Sequence, residues 1–295
     1  MLIRKNKKID NPLSPSELFS NMSGGTAFRV VETYKSIRTA LMFTLSSGND
    51  NAILITSAEP NSGKSVTSAN MSLSFSQTGS KILLIDCDMR NPSQQKIYAL
   101  ENTKGLSGVL GGMYTFNDAV KRGIKENLDI LTAGPTPPNP SELLGSDNMK
   151  ALLDGVKTQY DFIFLDCPPV EIVSDTSSLL LHVPQTIMIA RQNHAVYGEV
   201  IHAVESVKGV GGKILGAILT DVRESDKSYT YAAGAYSHYG RYGYGRYGRY
   251  SRYSRYAKRY GKYGYGYGYG YGYGYGNSTN TSESGKSESE KSKKK

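Results

Sequence analysis

The segment Ala58-Glu59-Pro60-Asn61-Ser62-Gly63-Lys64-Ser65 has the spacing of a phosphate-binding loop, with Ala58 where the pattern has its first glycine. The residue types suit that chemistry. Residues Glu59, Pro60, Asn61, Ser62, Gly63, Lys64, Ser65 and Val66 would surround phosphate oxygens, all but Pro60 through main-chain N–H groups, backed by the N-terminus of a following helix. Lys64 would reach the outer phosphates, and the Ser65 hydroxyl would take a Mg²⁺ ion. Two further segments end in acids: Lys81-Ile-Leu-Leu-Ile-Asp86-Cys-Asp88-Met-Arg90 and Asp161-Phe-Ile-Phe-Leu-Asp166-Cys-Pro168-Pro169. An apolar strand that ends in aspartate beside a phosphate loop is a place to hold Mg²⁺, so Asp166 and Asp86 are expected in the metal's shell. Asp86 and Asp88, one residue apart, can divide duties, one in the metal's shell and one accepting the proton of an attacking hydroxyl. The blander alternative is that Asp86 or Asp88 caps a turn. No Asn-Lys-x-Asp guanine signature is present, which favours ATP over GTP.

These groups need a scaffold, and the patterning supplies one. Short apolar runs at Ala52–Ser57, Lys81–Asp86, Leu128–Leu131, Asp161–Asp166, Thr186–Arg191 and Lys213–Leu219 read as strands. Helical periodicity marks Ser65–Thr78, Asp147–Lys157 and Glu199–Lys208. Before them, Val30, Tyr34, Ile37, Leu41 and Leu45 recur at helical spacing within residues 28–47. Buried strands alternating with helices predict a doubly wound α/β domain with a mainly parallel sheet, of the P-loop NTPase type. Its ligands belong at the carboxyl ends of the strands.

The chain has 295 residues, room for one large α/β domain plus extras. Three parts are expected: a loose N-terminal arm over 1–26, the P-loop domain over 27–226, and a disordered tail over 227–295. Tyr229 to Lys295 holds 13 basic and 3 acidic side chains, a balance of +10, while the rest sits at −1. The overall charge of +9 therefore belongs to the tail and says nothing about the catalytic surface. The tail carries 18 of the 23 tyrosines, first in Arg-Tyr pairs (Arg246, Arg249, Arg252, Arg255) and then in a Tyr-Gly repeat from Tyr263 to Gly276. Glycine denies this stretch helical stiffness, and it lacks aliphatic residues for a core. Cys87 and Cys167 are too few for a disulfide framework and suit a reducing compartment, as core-edge residues rather than a redox pair. The basic residues 1–10 are not followed by the apolar stretch of a secretory signal, and no run approaches the roughly 18 apolar residues of a membrane span. A place at a membrane would then require a partner.

With these motifs in hand, the chain resembles the bacterial tyrosine kinases, specifically the cytoplasmic kinase component of capsular or exopolysaccharide synthesis in Gram-positive bacteria. The likeness covers roughly residues 28–222. It rests on the loop Ala58–Ser65, the Asp-x-Asp-x-Arg segment Ile82–Arg90, the strand Phe162–Asp166 and the run Pro138–Leu144. The resemblance implies an ATP- and Mg²⁺-dependent kinase in which Lys64, Asp86, Asp88 and Asp166 are catalytic and Ser65, Asp86 and Asp166 face the metal. It implies autophosphorylation of the tail on Tyr263, Tyr265, Tyr267, Tyr269, Tyr271, Tyr273 and Tyr275, delivered to a neighbour's active site. The family's Glu-x-x-Arg-x-x-Arg helix, which assembles an octameric ring, reads here Glu32, Lys35, Arg38, with Lys35 departing from the pattern. A separate transmembrane adaptor that recruits the kinase to the inner face of the membrane, and a cognate tyrosine phosphatase, are also implied.

Two other readings compete. A cytoskeletal ATPase of the partitioning and division-site family shares the fold, but it usually carries a second lysine where this chain has Glu59. A polyanion binder could use tail arginines interleaved with tyrosines to stack on bases and neutralise phosphates. Nucleic-acid binding as the main role leaves the Asp86/Asp88 pair unexplained. The Glu32, Lys35, Arg38 stripe likewise has a plain alternative as a solvated helix face.

Overall fold

A computed structural model of the chain describes residues 24–45 and 50–222. The tail tyrosines, and the arm up to residue 23, lie outside the described residues. The chain enters through a long helix, α1 (Gly24–Leu45). Seven strands follow: β1 (Ala52–Ser57), β2 (Ile82–Asp86), β3 (Lys121–Lys125), β4 (Leu128–Leu131), β5 (Phe162–Asp166), β6 (Gln185–Arg191) and β7 (Lys213–Thr220). They form one sheet in the order β3-β4-β2-β5-β1-β6-β7. Every pairing is parallel except β3 with β4. The intervening helices are α2 (Lys64–Ser76), α3 (Gln94–Ile97), α4 (Leu106–Leu110), α5 (Phe116–Ala119), α6 (Pro140–Leu144), α7 (Asp147–Lys157), α8 (Asp175–Leu180) and α9 (Tyr197–Gly209).

The pleat divides the apolar residues between two cores. On β1, Ala52 and Leu54 join one cluster while Ile53 and Ile55 join the other, and β2 and β5 divide in the same way. One cluster packs residues of α4, α7, α8 and α9 against the sheet; the other packs α1 and α2. Burial on both faces explains why these strands read as continuous apolar runs. Phe75 of α2 meets Phe162 and Phe164 edge-on, with ring centroids 4.8 and 5.2 Å apart. This contact holds the helix that carries the phosphate loop against the strand that carries Asp166. Phe75→Ala is expected to cost roughly 3–5 kcal/mol, read as a lowered urea midpoint.

The six strands expected from the sequence agree with the structure to within a residue at each end. β3 was not expected. Its Lys-Arg-Gly-Ile-Lys sequence has little apolar content and only partial burial, as suits a short charged edge strand. α1 begins at Gly24, inside the stretch that composition assigns to the arm. Short helices such as α3 and α6 span about one turn, too little for periodicity to register.

Candidate active site

The phosphate loop leaves β1 and enters α2 as its spacing requires. Asn61 and Gly63 both take positive φ, 60° and 92°. Gly63 is the N-cap of α2, and no side chain caps the helix, so its first N–H groups stay open toward a ligand. A Cβ on Gly63 would meet Thr220 at an ordinary 3.5 Å. Its φ, rather than crowding, is therefore what calls for glycine. The loop is held from outside by residues that sequence reasoning had not singled out. Thr220 Oγ1 donates to the Ser62 carbonyl (2.6 Å), and Arg191 donates to the Asn61 carbonyl (3.3 Å) while paired with Asp221. His194 Nε2 lies 3.3 Å from the Pro60 carbonyl and 3.5 Å from the Glu59 carboxylate. Glu59, where the rival ATPases carry a lysine, thus faces the loop after β6.

The three aspartates converge beside this loop. Asp86 and Asp166 are register partners at the ends of β2 and β5, and both are fully buried. Ser68 Oγ donates to the Asp166 carboxylate (3.3 Å), and the nearby Ser65 hydroxyl favours its charged form. Burial pushes the Asp166 carboxyl up, opposed by Lys64. Burial, and then the Asp166 charge, push Asp86 well above the usual carboxylate range. Asp86 is held by the backbone that follows it: its Oδ2 accepts from Ser93 N and Gln94 N (2.9 Å each) and its Oδ1 from Asp88 N (3.2 Å). In this arrangement Asp86 holds the loop that leads into α3, so the capping role and the expected metal role fall on one side chain. Asp88 is pushed up to about 6 by burial, with Lys64 drawing it down. Lys64, itself buried, is the cation that both Asp88 and Asp166 feel.

Two motif fragments without an assigned role meet next to this cluster. Arg90 makes a two-point ion pair with the buried Asp175 at the start of α8 (2.9 and 3.0 Å). Ser141, from the Pro138–Leu144 run, donates to the same carboxylate at 2.5 Å. Asp175 therefore joins the loop after β2 to α6. Gln94 is the other residue that sequence reasoning missed. It lies in no motif, and only the fold brings it between Asp166 and Ser65. Cys87 and Cys167 follow the two strand-end aspartates, and the Cys167 thiol donates to the Leu165 carbonyl (3.5 Å). Both are buried free thiols whose pKa burial raises, which makes them inert.

The site fits a nucleotide with a bound cation. Ser62 Oγ and Gln94 Oε1 are buried without a hydrogen-bond partner among the described residues, which marks where polar ligand atoms are lacking. Among the described residues no group of three or more His, Cys, Asp or Glu forms a self-sufficient metal site. A cation here would share its shell with phosphate oxygens, the usual arrangement for Mg²⁺.

On α1 the expected stripe divides. Lys35 and Glu32 pair at 2.7 Å, each about half exposed (46%). Arg38 instead donates to the Ser74 carbonyl of α2, within the same chain. No helix among the described residues is long and apolar enough to cross a membrane.

Comparison with known proteins agrees with this geometry. Residues 51–213 match the AAA domain family. The chain is 37% identical over 206 residues to the putative tyrosine-protein kinase CapB of Staphylococcus aureus, covering 70% of this chain and 90% of that protein. Its fold matches the kinase domain of Escherichia coli tyrosine kinase ETK at 33% identity and a TM-score of 0.64, over 72% of this chain and 80% of that one. A more distant likeness is to the septum site-determining protein MinD of Pyrococcus horikoshii complexed with Mg-ADP, at 25% identity and a TM-score of 0.51, over 60% and 73% of the two chains. The identity favours the kinases over the division-site ATPases, and the buried Asp86, Asp88 and Asp166 beside an open helix terminus suit phosphoryl transfer. This chain belongs to the bacterial tyrosine kinases, a family of nucleotide-binding P-loop enzymes, and is a protein-tyrosine kinase.

Proposed function

We propose that the kinase transfers the γ-phosphoryl group of ATP to tyrosines of its own tail, Tyr263, Tyr265, Tyr267, Tyr269, Tyr271, Tyr273 and Tyr275, on a neighbouring copy of the chain. The observation that carries this reading is the convergence of Asp86, Asp88 and Asp166 on the open N-terminus of α2. Backbone N–H groups of residues 59 and 61–66 would cradle the phosphates, with Lys64 on the outer ones. Ser65, Asp86 and Asp166 are the residues that would hold Mg²⁺, which would supply positive charge to the phosphates. Asp88 is the base toward the tyrosine hydroxyl. A carboxyl pushed up to about 6 is better matched to taking a proton near neutral pH than an ordinary one.

Transfer between chains suits a tyrosine cluster beyond the folded domain in sequence, and it requires assembly. Glu32 and Lys35 are the exposed members of the α1 stripe and the ones left for a neighbouring copy in a ring of the family's octameric type, since Arg38 is committed to α2. A transmembrane adaptor would recruit and activate the kinase at the inner face of the membrane. A cognate phosphatase would reverse the modification, and the cycle would regulate capsular or exopolysaccharide synthesis.

A mixing experiment tests the between-chain step. An inactive Lys64→Met chain with an intact tail, incubated with a tail-deleted active chain, ATP and Mg²⁺, should acquire phosphotyrosine mapped to Tyr263–Tyr275. An unlabelled inactive chain, alongside wild-type labelling that does not change on dilution, would place the transfer within one chain.

A further inference from the structure

We propose that Gln94 is a positioning residue of the phosphoryl-transfer site, coupling the Asp166 carboxylate to the cation-bound nucleotide by accepting a hydrogen bond from a water of the cation's shell. The side chain is fully buried. Its Nε2 donates to Asp166 Oδ2 at 2.8 Å and to the Ser65 carbonyl at 3.0 Å. Its backbone N–H donates to Asp86 Oδ2 at 2.9 Å. One residue thus touches the ends of β2 and β5 and the first turn of α2, the three elements that make the site.

The chemistry of the neighbours fixes the amide's orientation. A carboxylate and a carbonyl are both pure acceptors, so only the –NH₂ end can face them; a flipped amide would set oxygen against oxygen twice. The Oε1 atom is thereby turned away from both and has no hydrogen-bond partner among the described residues. A buried unsatisfied acceptor is a destabilising feature that a folded protein rarely retains without a reason. Oε1 is bonded to the same carbon as Nε2, which itself touches Asp166 and Ser65, the residues assigned to the cation. Mg²⁺ keeps several of its waters when it binds through phosphates and one or two carboxylates, and those waters are strong donors. A water of that shell would satisfy Oε1, and the two Nε2 bonds, already made to Asp166 and Ser65, would tie that water to the Asp166 carboxylate.

This inference rests on the nucleotide-site reading above, and its test separates the two. Binding of a fluorescent ADP analogue is measured against Mg²⁺ concentration for the wild-type chain, for Gln94→Met, which keeps the unbranched shape without hydrogen-bonding groups, and for Gln94→Leu. Circular dichroism checks each fold. The expected result is Mg²⁺-free affinity within about twofold of wild type, with half-saturating Mg²⁺ raised about tenfold or more, the loss of one hydrogen bond to a charged assembly. In turnover, kcat falls more than KM for ATP rises. A wild-type chain whose ADP binding ignores Mg²⁺ would overturn the site reading itself. Unchanged Mg²⁺ dependence in a folded Gln94 variant would overturn the inference alone, leaving Gln94 as a core amide. Equal loss of Mg²⁺-free and Mg²⁺-bound affinity would also overturn it.

Discussion

Lys64→Met should lower tail phosphorylation by a hundred- to a thousandfold or more, the scale for removing one preorganised charge from a transition state. Phosphoryl transfer asks little covalent chemistry of the protein; it depends on alignment and on neutralising the transferring group. Lys64 acts on both Asp88 and Asp166, and it is buried at the first turn of α2. Methionine follows the path of the lysine stem without its charge, so the loop geometry of Asn61 and Gly63 should survive. The freed carboxylates then hold their protons more tightly, because the charge that drew them down has gone. Phosphotyrosine blotting, with circular dichroism as the control for folding, gives the answer. Labelling near the wild-type level would remove Lys64 from the chemistry.

Asp88→Asn should move activity and stability in opposite directions. Loss of the base lowers transfer by roughly a hundred- to ten-thousandfold. The fold, by contrast, gains. Asp88 is nearly fully buried and its folded carboxyl is pushed up to about 6 from an ordinary 3.8, so the folded state binds the proton more tightly than the unfolded chain does. The stability linked to that proton is fully present below about pH 4 and is lost as pH rises through 6. Asparagine carries no charge at any of these pH values, and its Oδ1 can still accept from Asn91 N, a 2.9 Å bond in the wild-type chain. In nucleotide-free melts the variant should match wild type near pH 4 and exceed it by on the order of 2–3 kcal/mol at pH 7. Asp86 and Asp166 remain in both proteins, and because Asp88's charge raises the Asp86 carboxyl, the difference between the two curves reports Asp88 together with that coupling. A variant less stable than wild type at pH 7 would mean that Asp88 holds its loop through its charge. Such a stabilising yet inactivating change is expected where a site keeps carboxylates out of water for chemistry.

Much of the scaffold was legible because its signals are local. Buried parallel strands read as apolar runs, and a phosphate loop is contiguous, so Ala58–Ser65 and the two strand-end aspartates could be placed on their elements before any coordinates. β3 was illegible for a different reason: it pairs with β4 across a two-residue hairpin, yet its charged, glycine-containing five residues carry no apolar alternation to register as a strand. α1 was found by its apolar spacing, yet that spacing says nothing of Arg38, which spends its guanidinium on the Ser74 carbonyl 36 residues away.

By itself the sequence determined the fold class, the nucleotide loop, the three acids and the separation of a tyrosine-rich, positively charged tail from a near-neutral domain, because composition, periodicity and contiguous motifs carry each of these. Only the tertiary structure decided which groups share the site. Sheet order sets β2 beside β5 and so makes Asp86 and Asp166 register partners. Chain reversal brings Thr220, Arg191 and His194 onto the phosphate loop, Asp175 and Ser141 onto Arg90, and Gln94 between Asp166 and Ser65. Burial likewise sets the acidity of the three aspartates, and burial belongs to the packed chain: the same carboxyl is an ordinary acid in water and a reluctant one where water has been excluded.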